Sequence, residues 1–220
     1  MKVLVIMPEN PTLPKLQVWM EFNKLSEVVS GNTPPRLLGG DRATRNGVAS
    51  ALKESYDAVI WSGHGDVGRL AVSDGFVSSD WLAVQLRNTP PGVIVLAACM
   101  SGARDEDLDS MAETISQAGI NVVGMWVSVE DNAAIAYNEE FLRCLDAGSG
   151  LGMAHRVAVR EMIDRYPTMA GSAFLMPGLL NGYGKIKHEL VRMNDRIGGL
   201  ESGMAEVKTT MTEVMRRIPK

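Results

Sequence analysis

A histidine and a cysteine stand at equivalent places in this sequence, each just beyond a short apolar run. His64 lies in the glycine turn 62–66 that follows the run 58–61, and Cys99 follows the run 93–98. Short apolar runs bounded by turn residues predict buried strands of a parallel sheet, and ligands bind outside the carboxyl ends of such strands. We therefore expect the imidazole and the thiol to face one crevice, as general base and nucleophile.

The residue types around this pair suit acyl transfer. The thiolate is the nucleophilic form of cysteine, and a histidine within reach can take the thiol proton and return it to a leaving amine. Gly63 and Gly65 flank the histidine, so substrate backbone can come close and amide groups can point inward. The backbone amides of Gly65 and Cys99 are the candidates for an oxyanion hole.

The two motifs resemble those of the CHAT family of caspase-like cysteine peptidases, relatives of caspases, separases and gingipains. They are Ser-Gly-His-Gly at 62–65 and Leu-Ala-Ala-Cys-Met-Ser-Gly at 96–102. Segment 124–134 resembles the family's strand after the cysteine, and the following residues resemble its helix pair, so the resemblance covers roughly residues 1–180. The cysteine motif departs from the Gln-Ala-Cys-x-Gly of caspases proper. That departure argues against a true caspase and leaves the substrate preference open.

The resemblance implies an α/β, caspase-like fold, with a parallel-rich sheet flanked by helices on both faces. It implies a cysteine endopeptidase that acts through a dyad of His64 and Cys99. Asp131 would line the pocket for a basic substrate side chain, with Glu130 as a weaker alternate and Trp126 as core or pocket wall. The alternative for Asp131 is a helix N-cap, because a helical run follows it. The family also suggests a dedicated protein substrate and a prokaryotic defence or cell-death pathway switched on by a sensor.

Other reactive side chains have simpler interpretations. Asp66 either orients the imidazole or is a solvated turn carboxylate, and the acidic run 105–107 is expected in a solvated loop that could attract a basic peptide. Cys144 shares a helix face with two aromatic residues and is expected in the core. His155 and His188 fall on predicted helices without a paired nucleophile and are expected on the surface.

Composition limits the classes of function. The 220 residues can hold one well-buried α/β domain and an appendage. A net charge of -4 predicts no nucleic-acid or anionic-membrane partner, and no stretch reaches the ~18 apolar residues of a membrane span. The first residues predict a strand and not a signal peptide. Two distant cysteines suit a reducing, cytoplasmic setting, and without Cys/His clusters of zinc-ligand spacing we expect no metal and no other cofactor.

Apolar runs and periodic segments alternate along the chain. Strands are predicted at 2–7, 36–38, 57–61, 92–98, 121–128 and 172–176, and helices at 13–29, 43–55, 79–86, 108–118, 131–145 and 149–165. This alternation predicts a parallel sheet with helices on both faces. The first helix would present an apolar face made of Leu16, Trp19, Met20 and Leu25.

The C-terminal segment has a different pattern. From Ile186 to Ile218, apolar residues recur at alternating spacings of four and three, which is typical of a coiled-coil seam. We predict a domain over 1–180 and a C-terminal amphipathic coiled-coil helix over 185–220. The seam 186–218 would bind a second copy or a regulatory protein; the alternative is a helix that folds back on its own domain.

Two functions of different classes remain open. The first is a cytoplasmic cysteine endopeptidase controlled through association of the C-terminal helix. The second is a catalytically weak or inactive caspase-like adaptor that assembles with partners through its coiled coil, favoured by the short chain, by Met100 and by the regular heptads. The presence of both His64 and Cys99 favours the first. A nucleotide-binding regulator would rest on fold analogy alone.

Overall fold

A computed structural model describes residues 1–29, 34–103 and 110–178 of the chain. The strands are β1 (Val3–Pro8), β2 (Arg36–Gly40), β3 (Ala58–Ser62), β4 (Gly65–Asp66), β5 (Arg69–Val72), β6 (Gly75–Ser78), β7 (Val93–Ala97), β8 (Val122–Met125) and β9 (Ala173–Met176). The helices are α1 (Val18–Val28), α2 (Arg45–Ala51), α3 (Ser79–Asn88), α4 (Met111–Gln117), α5 (Asp131–Asp146) and α6 (Leu151–Arg165), with a short 3-10 turn at Pro167–Met169.

Six strands form the main sheet, in the order β2-β1-β3-β7-β8-β9. All neighbouring pairs are parallel except β8 and β9, which are antiparallel. The central strands β1, β3 and β7 are almost wholly buried and apolar, as parallel strands covered on both faces must be. Because β3 and β7 pair with Ser62 opposite Ala97, the loops that carry His64 and Cys99 begin side by side.

A hydrophobic core lies on each face of this sheet. Helices α2, α3 and α4 bury apolar side chains on one face, and α1, α5 and α6 do so on the other. The predicted α/β class, a parallel-rich sheet flanked by helices on both faces, is therefore confirmed.

Polar caps explain where several helices begin. The side chains of Thr44, Ser78 and Ser110 accept hydrogen bonds from backbone amides in the first turns of α2, α3 and α4. Ser110 and Glu113 form a reciprocal capping box. Helix α1 begins later than predicted, at Val18, and residues 14–17 before it are neither helix nor strand.

A second sheet is missing from the sequence prediction. It is antiparallel, with the order β4-β5-β6, and follows His64 directly. Its strands have only two to four residues, too few to show the alternating pattern of a half-buried strand. Gly68 in the first turn and Gly75 at the start of β6 have φ angles of 71° and 141°, which suit glycine.

Residues Met1–Leu179 form one compact unit. The predicted coiled-coil helix over 185–220 lies outside the described residues, as do His188 and the acidic run 105–107, and these stay predictions. Within the described part of the chain, no helix is long and apolar enough to cross a membrane.

Candidate active site

His64 is held on two sides in the turn after β3. Its Nε2 lies 2.7 Å from the carbonyl oxygen of Pro14, and its own carbonyl accepts a hydrogen bond from the amide of Ala71. A carbonyl oxygen can only accept, so Nε2 carries the hydrogen and the neutral ring keeps its free lone pair on Nδ1. Nδ1 is therefore the atom of His64 that can act as a base.

Cys99 lies in the turn after β7. Its thiol is free of any disulfide and partly exposed, and its Sγ lies 3.2 Å from the hydroxyl oxygen of Ser128, in the loop after β8. Among the described residues, no acceptor takes the Cys99 backbone N–H. That amide is available to stabilise an oxyanion, as the sequence prediction requires.

The residue after Cys99 has a strained backbone. Met100 has a φ of 55°, which no other non-glycine residue of the described chain approaches, and this left-handed region disfavours a side chain.

Ser101 connects the cysteine turn to two strands of the main sheet. It is fully buried, its hydroxyl donates to the carbonyl of Leu96, and its Oγ accepts from the amide of Met125. The cysteine turn is thereby tied to β7 and to β8.

Gly65 lets the two candidate catalytic turns pack directly on each other. A Cβ at this position would lie 2.9 Å from the Cβ of Ala98 and 2.9 Å from the carbonyl oxygen of Cys99. Neither neighbour can move without displacing the cysteine turn, so glycine is required for this approach. The structure thus places the second predicted oxyanion donor beside Cys99.

A cleft of about 260 Å³ lies between these turns and the helices α1 and α5. His64, Cys99 and Asp131 all line it, so the structure brings together three of the predicted side chains. Ser62 and Ser128 add hydroxyl groups to its wall. Among the described residues, no three His, Cys, Asp or Glu side chains converge to hold a metal ion.

Trp126 and Glu130 do not line this cleft. Trp126 is 44% exposed, and its ring packs against Phe174 of β9 with the centroids 4.3 Å apart. Phe174 also covers Gly102, where a Cβ would lie 2.0 Å from its ring. Glu130 is exposed and occupies the N-cap position of α5. Asp131 is the first residue of the helix, so the alternative that it is the N-cap is wrong by one position.

Asp66 and Cys144 lie outside the cleft. Asp66 pairs with Arg69 at 2.8 Å, which together with the amide of Val67 lowers the pKa of its carboxyl group; it does not orient the imidazole. Cys144 is only partly buried, and its burial and the adjacent Glu140 raise the pKa of its thiol.

His155 is not the surface residue that was predicted. Its Nδ1 lies 2.7 Å from the hydroxyl oxygen of Tyr137, and partial burial between α5 and α6 lowers the pKa of the ring. The phenol of Tyr137 is buried, which raises its pKa well above the usual value and keeps it a donor. The pair therefore requires a neutral imidazole.

Glu21 of α1 lines the cleft although the sequence prediction does not include it. It is only 4% exposed; its two carboxyl oxygens accept from the Ser62 hydroxyl and, at 2.8 Å, from the Asn138 amide. Burial raises its pKa, the two hydrogen bonds oppose the rise, and the charge of Asp131 adds to it. A glutamate among apolar residues on one short helix gives no sequence signal that separates it from a solvated residue.

Comparison with known proteins places this geometry in context. The family model of the CHAT domain matches residues 13–176. No curated protein matches the chain significantly. The structure of the Arg specific cysteine proteinase gingipain R (RgpB) is similar, with a TM-score of 0.63 and 16% identity, over 81% of this chain and 47% of that one.

Two further solved structures are similar. The complex of Porphyromonas gingivalis RgpB pro- and mature domains has a TM-score of 0.58 and 14% identity, over 81% of this chain and 48% of that one. Caspase-1 from Spodoptera frugiperda has a TM-score of 0.53 and 10% identity, over 81% and 86%. These likenesses establish a shared caspase-like fold, and the chain spans about half the length of the gingipain structures.

Proposed function

Because this chain belongs to the CHAT domain family, we propose that it is a cysteine endopeptidase that hydrolyses a dedicated protein substrate. One observation carries the proposal. His64 and Cys99 follow adjacent parallel strands and line one cleft, with the imidazole fixed by the Pro14 carbonyl so that Nδ1 is the base. A nucleophile, a base and a group that orients the base are the parts that covalent catalysis needs.

The first half of the reaction forms a thioester. His64 Nδ1 takes the proton of the Cys99 thiol, and the thiolate attacks the carbonyl carbon of the scissile peptide bond. The oxyanion of the tetrahedral intermediate accepts hydrogen bonds from the amides of Cys99 and Gly65. The imidazolium then gives its proton to the leaving amine as the C–N bond breaks. In the resting conformation Cys99 contacts Ser128, so the thiol turns toward His64 for this step.

The second half regenerates the enzyme. A water molecule enters where the amine has left, and His64 Nδ1 takes one of its protons. The resulting hydroxide attacks the thioester carbonyl, and the same two amides hold the oxyanion. Breaking the C–S bond releases a carboxylic acid and returns the proton to the sulfur of Cys99.

A basic side chain before the scissile bond is the substrate feature that we propose. Asp131 lines the cleft close to the candidate catalytic pair, and a carboxylate there would favour an arginine or a lysine side chain. The structurally similar gingipain R is described as Arg specific. The carboxylate of Asp131 in the cleft supports a substrate with a basic side chain for this chain as well.

The peptidase is tested by mass spectrometry of the full chain, alone and with candidate partner proteins. We expect fragments with the wild-type protein, cut after basic residues, and none with Cys99→Ala. Cys144→Ala is the matched control, because the second cysteine lies outside the cleft and its loss should leave cleavage intact.

Two outcomes would contradict the peptidase. Fragments that persist with Cys99→Ala would assign cleavage to a contaminant. Intact proteins in every mixture, together with a stable complex, would favour the adaptor, in which the caspase-like domain serves assembly and not catalysis.

Regulation through the C-terminal segment is a second part of the proposal. The heptad seam at 186–218 would associate with a second copy or a regulatory protein and switch on a defence or cell-death protease. Deleting the residues after Gly184 should then abolish activation by the partner. An unchanged response of the shortened chain would remove the helix from the regulatory mechanism.

A further inference from the structure

We propose that Glu21 is a specificity-determining residue of the cleft, binding the cationic end of a basic substrate side chain together with Asp131. The inference rests on the proposed peptidase function for its substrate, but not for its geometry. Glu21 is then the second acidic group of the cleft. It belongs to α1, whereas Asp131 belongs to α5 and lies far from it in the sequence.

The first argument is the polar balance around Glu21. The carboxyl group is buried and lines the cleft, yet within the described part of the chain no Lys, Arg or His forms an ion pair with it. Among the described residues, its donors are the Ser62 hydroxyl and the Asn138 amide. Buried acceptors in excess of donors favour a ligand that brings donors.

The second argument is the orientation of α1. Its Trp19 is 64% exposed and Met20 is 38% exposed, while Glu21 is buried beside them. Two of the four residues predicted to form the apolar face, Trp19 and Met20, therefore face solvent, whereas Leu25 of that face is buried. Burying a carboxyl group while a tryptophan faces solvent violates the local rule for a surface helix, and such violations concentrate at functional sites.

The third argument is the charge of the cleft. Ser62 at the end of β3, Asp131 on α5, and His64 and Cys99 on the turns line the cleft together with Glu21, and Asn138 of α5 donates to its carboxyl group. Asp131 is the charged neighbour that acts on Glu21, and it disfavours a second negative charge there. A guanidinium or ammonium group between them would compensate both carboxylates and remove that repulsion.

The physical consequence is that ligand binding is coupled to a proton. Burial raises the pKa of the Glu21 carboxyl group, the hydrogen bonds from Ser62 and Asn138 oppose the rise, and the charge of Asp131 adds to it. A cation beside the carboxyl group lowers that pKa, so its binding should release the protons that Glu21 carries in the free protein. Recognition of a basic side chain should therefore strengthen as the pH rises, and an uncharged analogue should neither bind as well nor release the proton.

The test measures binding without cleavage. The full chain with Cys99→Ala is titrated with two tripeptide amides, one ending in arginine and the other in citrulline, its uncharged analogue. Calorimetry in phosphate and in imidazole buffer at pH 6.5 counts the protons released, because the two buffers differ in their heat of ionisation. We expect the arginine peptide to bind about tenfold more tightly than the citrulline peptide and to release protons.

Glu21→Gln in the same background should weaken arginine binding about tenfold, leave citrulline binding nearly unchanged and abolish the proton release. The glutamine keeps acceptor and donor groups of similar shape. Glu27→Gln, on an exposed position of α1, is the matched control and should change none of these values. Because His64 also faces the cleft, proton release that persists in Glu21→Gln would assign the proton elsewhere and overturn the inference.

Equal binding of the two peptides to Cys99→Ala would also overturn it, and that result needs no Glu21 variant to fold. The two proposals fail separately. Selective arginine binding without any Cys99-dependent cleavage would refute the peptidase and keep Glu21 as a ligand-binding residue. Cys99-dependent cleavage with equal binding of the arginine and citrulline peptides would keep the peptidase and refute the role of Glu21.

Discussion

At the scale of single residues, the candidate site depends on backbone atoms as much as on reactive side chains. The carbonyl of Pro14 selects the tautomer of His64, and the absence of a side chain at Gly65 sets how closely the histidine and cysteine turns approach. Neither contribution depends on a functional group that a motif search would notice. The contribution of Gly65 can be tested by a substitution that leaves His64 and Cys99 untouched.

Gly65→Ala should separate the two turns. The added methyl group would lie 2.9 Å from Ala98 and from the Cys99 carbonyl, so we expect a loss of about 1–3 kcal/mol in the free energy of unfolding and a larger loss of peptidase activity. Gly152→Ala is the control, because its methyl group would meet open space on α6 and should stabilise the helix slightly. Urea unfolding gives the free energy of unfolding of both variants and of the wild type. If Gly65→Ala is as stable as the wild type, the two turns are not closely packed in solution.

His64→Ala should slow the alkylation of Cys99 by iodoacetamide at pH 7, because the group that takes the thiol proton is gone. Cys144 serves as the reference within the same digest. Burial and Glu140 raise the pKa of the Cys144 thiol, so it should react more slowly than Cys99. Because Cys144 lies outside the cleft, His64→Ala should not change its rate. If both cysteines react at unchanged rates, the imidazole does not activate Cys99 in the resting protein.

At the scale of elements, α5 and α6 are joined by the buried contact of Tyr137 with His155. The pKa of His155 is lowered in the folded chain by burial. Above pH ~6.5 the ring is neutral in both states and contributes no pH dependence. Below that value the unfolded chain takes up the proton first, so the free energy of unfolding falls with decreasing pH until the folded ring is also protonated.

His155→Gln keeps a hydrogen-bond acceptor but cannot titrate. Between pH 7 and pH 5 we expect its free energy of unfolding to fall less than that of the wild type. The difference between the two falls should be below about 1 kcal/mol, because solvent screens the half-exposed ring. Urea unfolding at each pH provides the measurement. Parallel pH profiles for the two proteins would place the acid-sensitive group elsewhere.

The elements also show how far sequence reasoning reaches. Buried runs predict β3 and β7, and their parallel pairing brings His64 and Cys99 to one edge, because the apolar content of those strands is unambiguous. The second sheet escapes prediction because its strands are too short for a pattern. Glu21 escapes it because α1 turns a tryptophan outward, and only tertiary packing determines that rotation.

At the scale of the whole molecule, the cleft gathers segments that are distant in the chain. The Asn138 amide of α5 donates to Glu21 of α1, and the Pro14 carbonyl accepts from His64, which is 50 residues further along the chain. Such contacts form late in folding, since each closes a long loop. The site is therefore expected to lose its geometry whenever the domain opens, even when individual helices persist.

Association of the full chain is the prediction that belongs to this scale. Ile197→Asp places a charge in the predicted heptad seam and should convert an assembled form into monomers in sedimentation velocity. Ser202→Asp adds the same charge at the position predicted to face outward and should leave the assembly intact. Identical sedimentation of both variants and the wild type would contradict a coiled coil.

The position of Phe174 has a consequence for the synthesis of the protein. Its ring packs on Trp126 and covers Gly102 in the turn after Cys99, yet it belongs to β9, the last strand of the sheet in chain order. Domains fold as the chain leaves the ribosome, N-terminal parts first. The turn of Cys99 thus gains its final packing only after the other strands of the main sheet have left the ribosome, so the candidate site is completed late in translation.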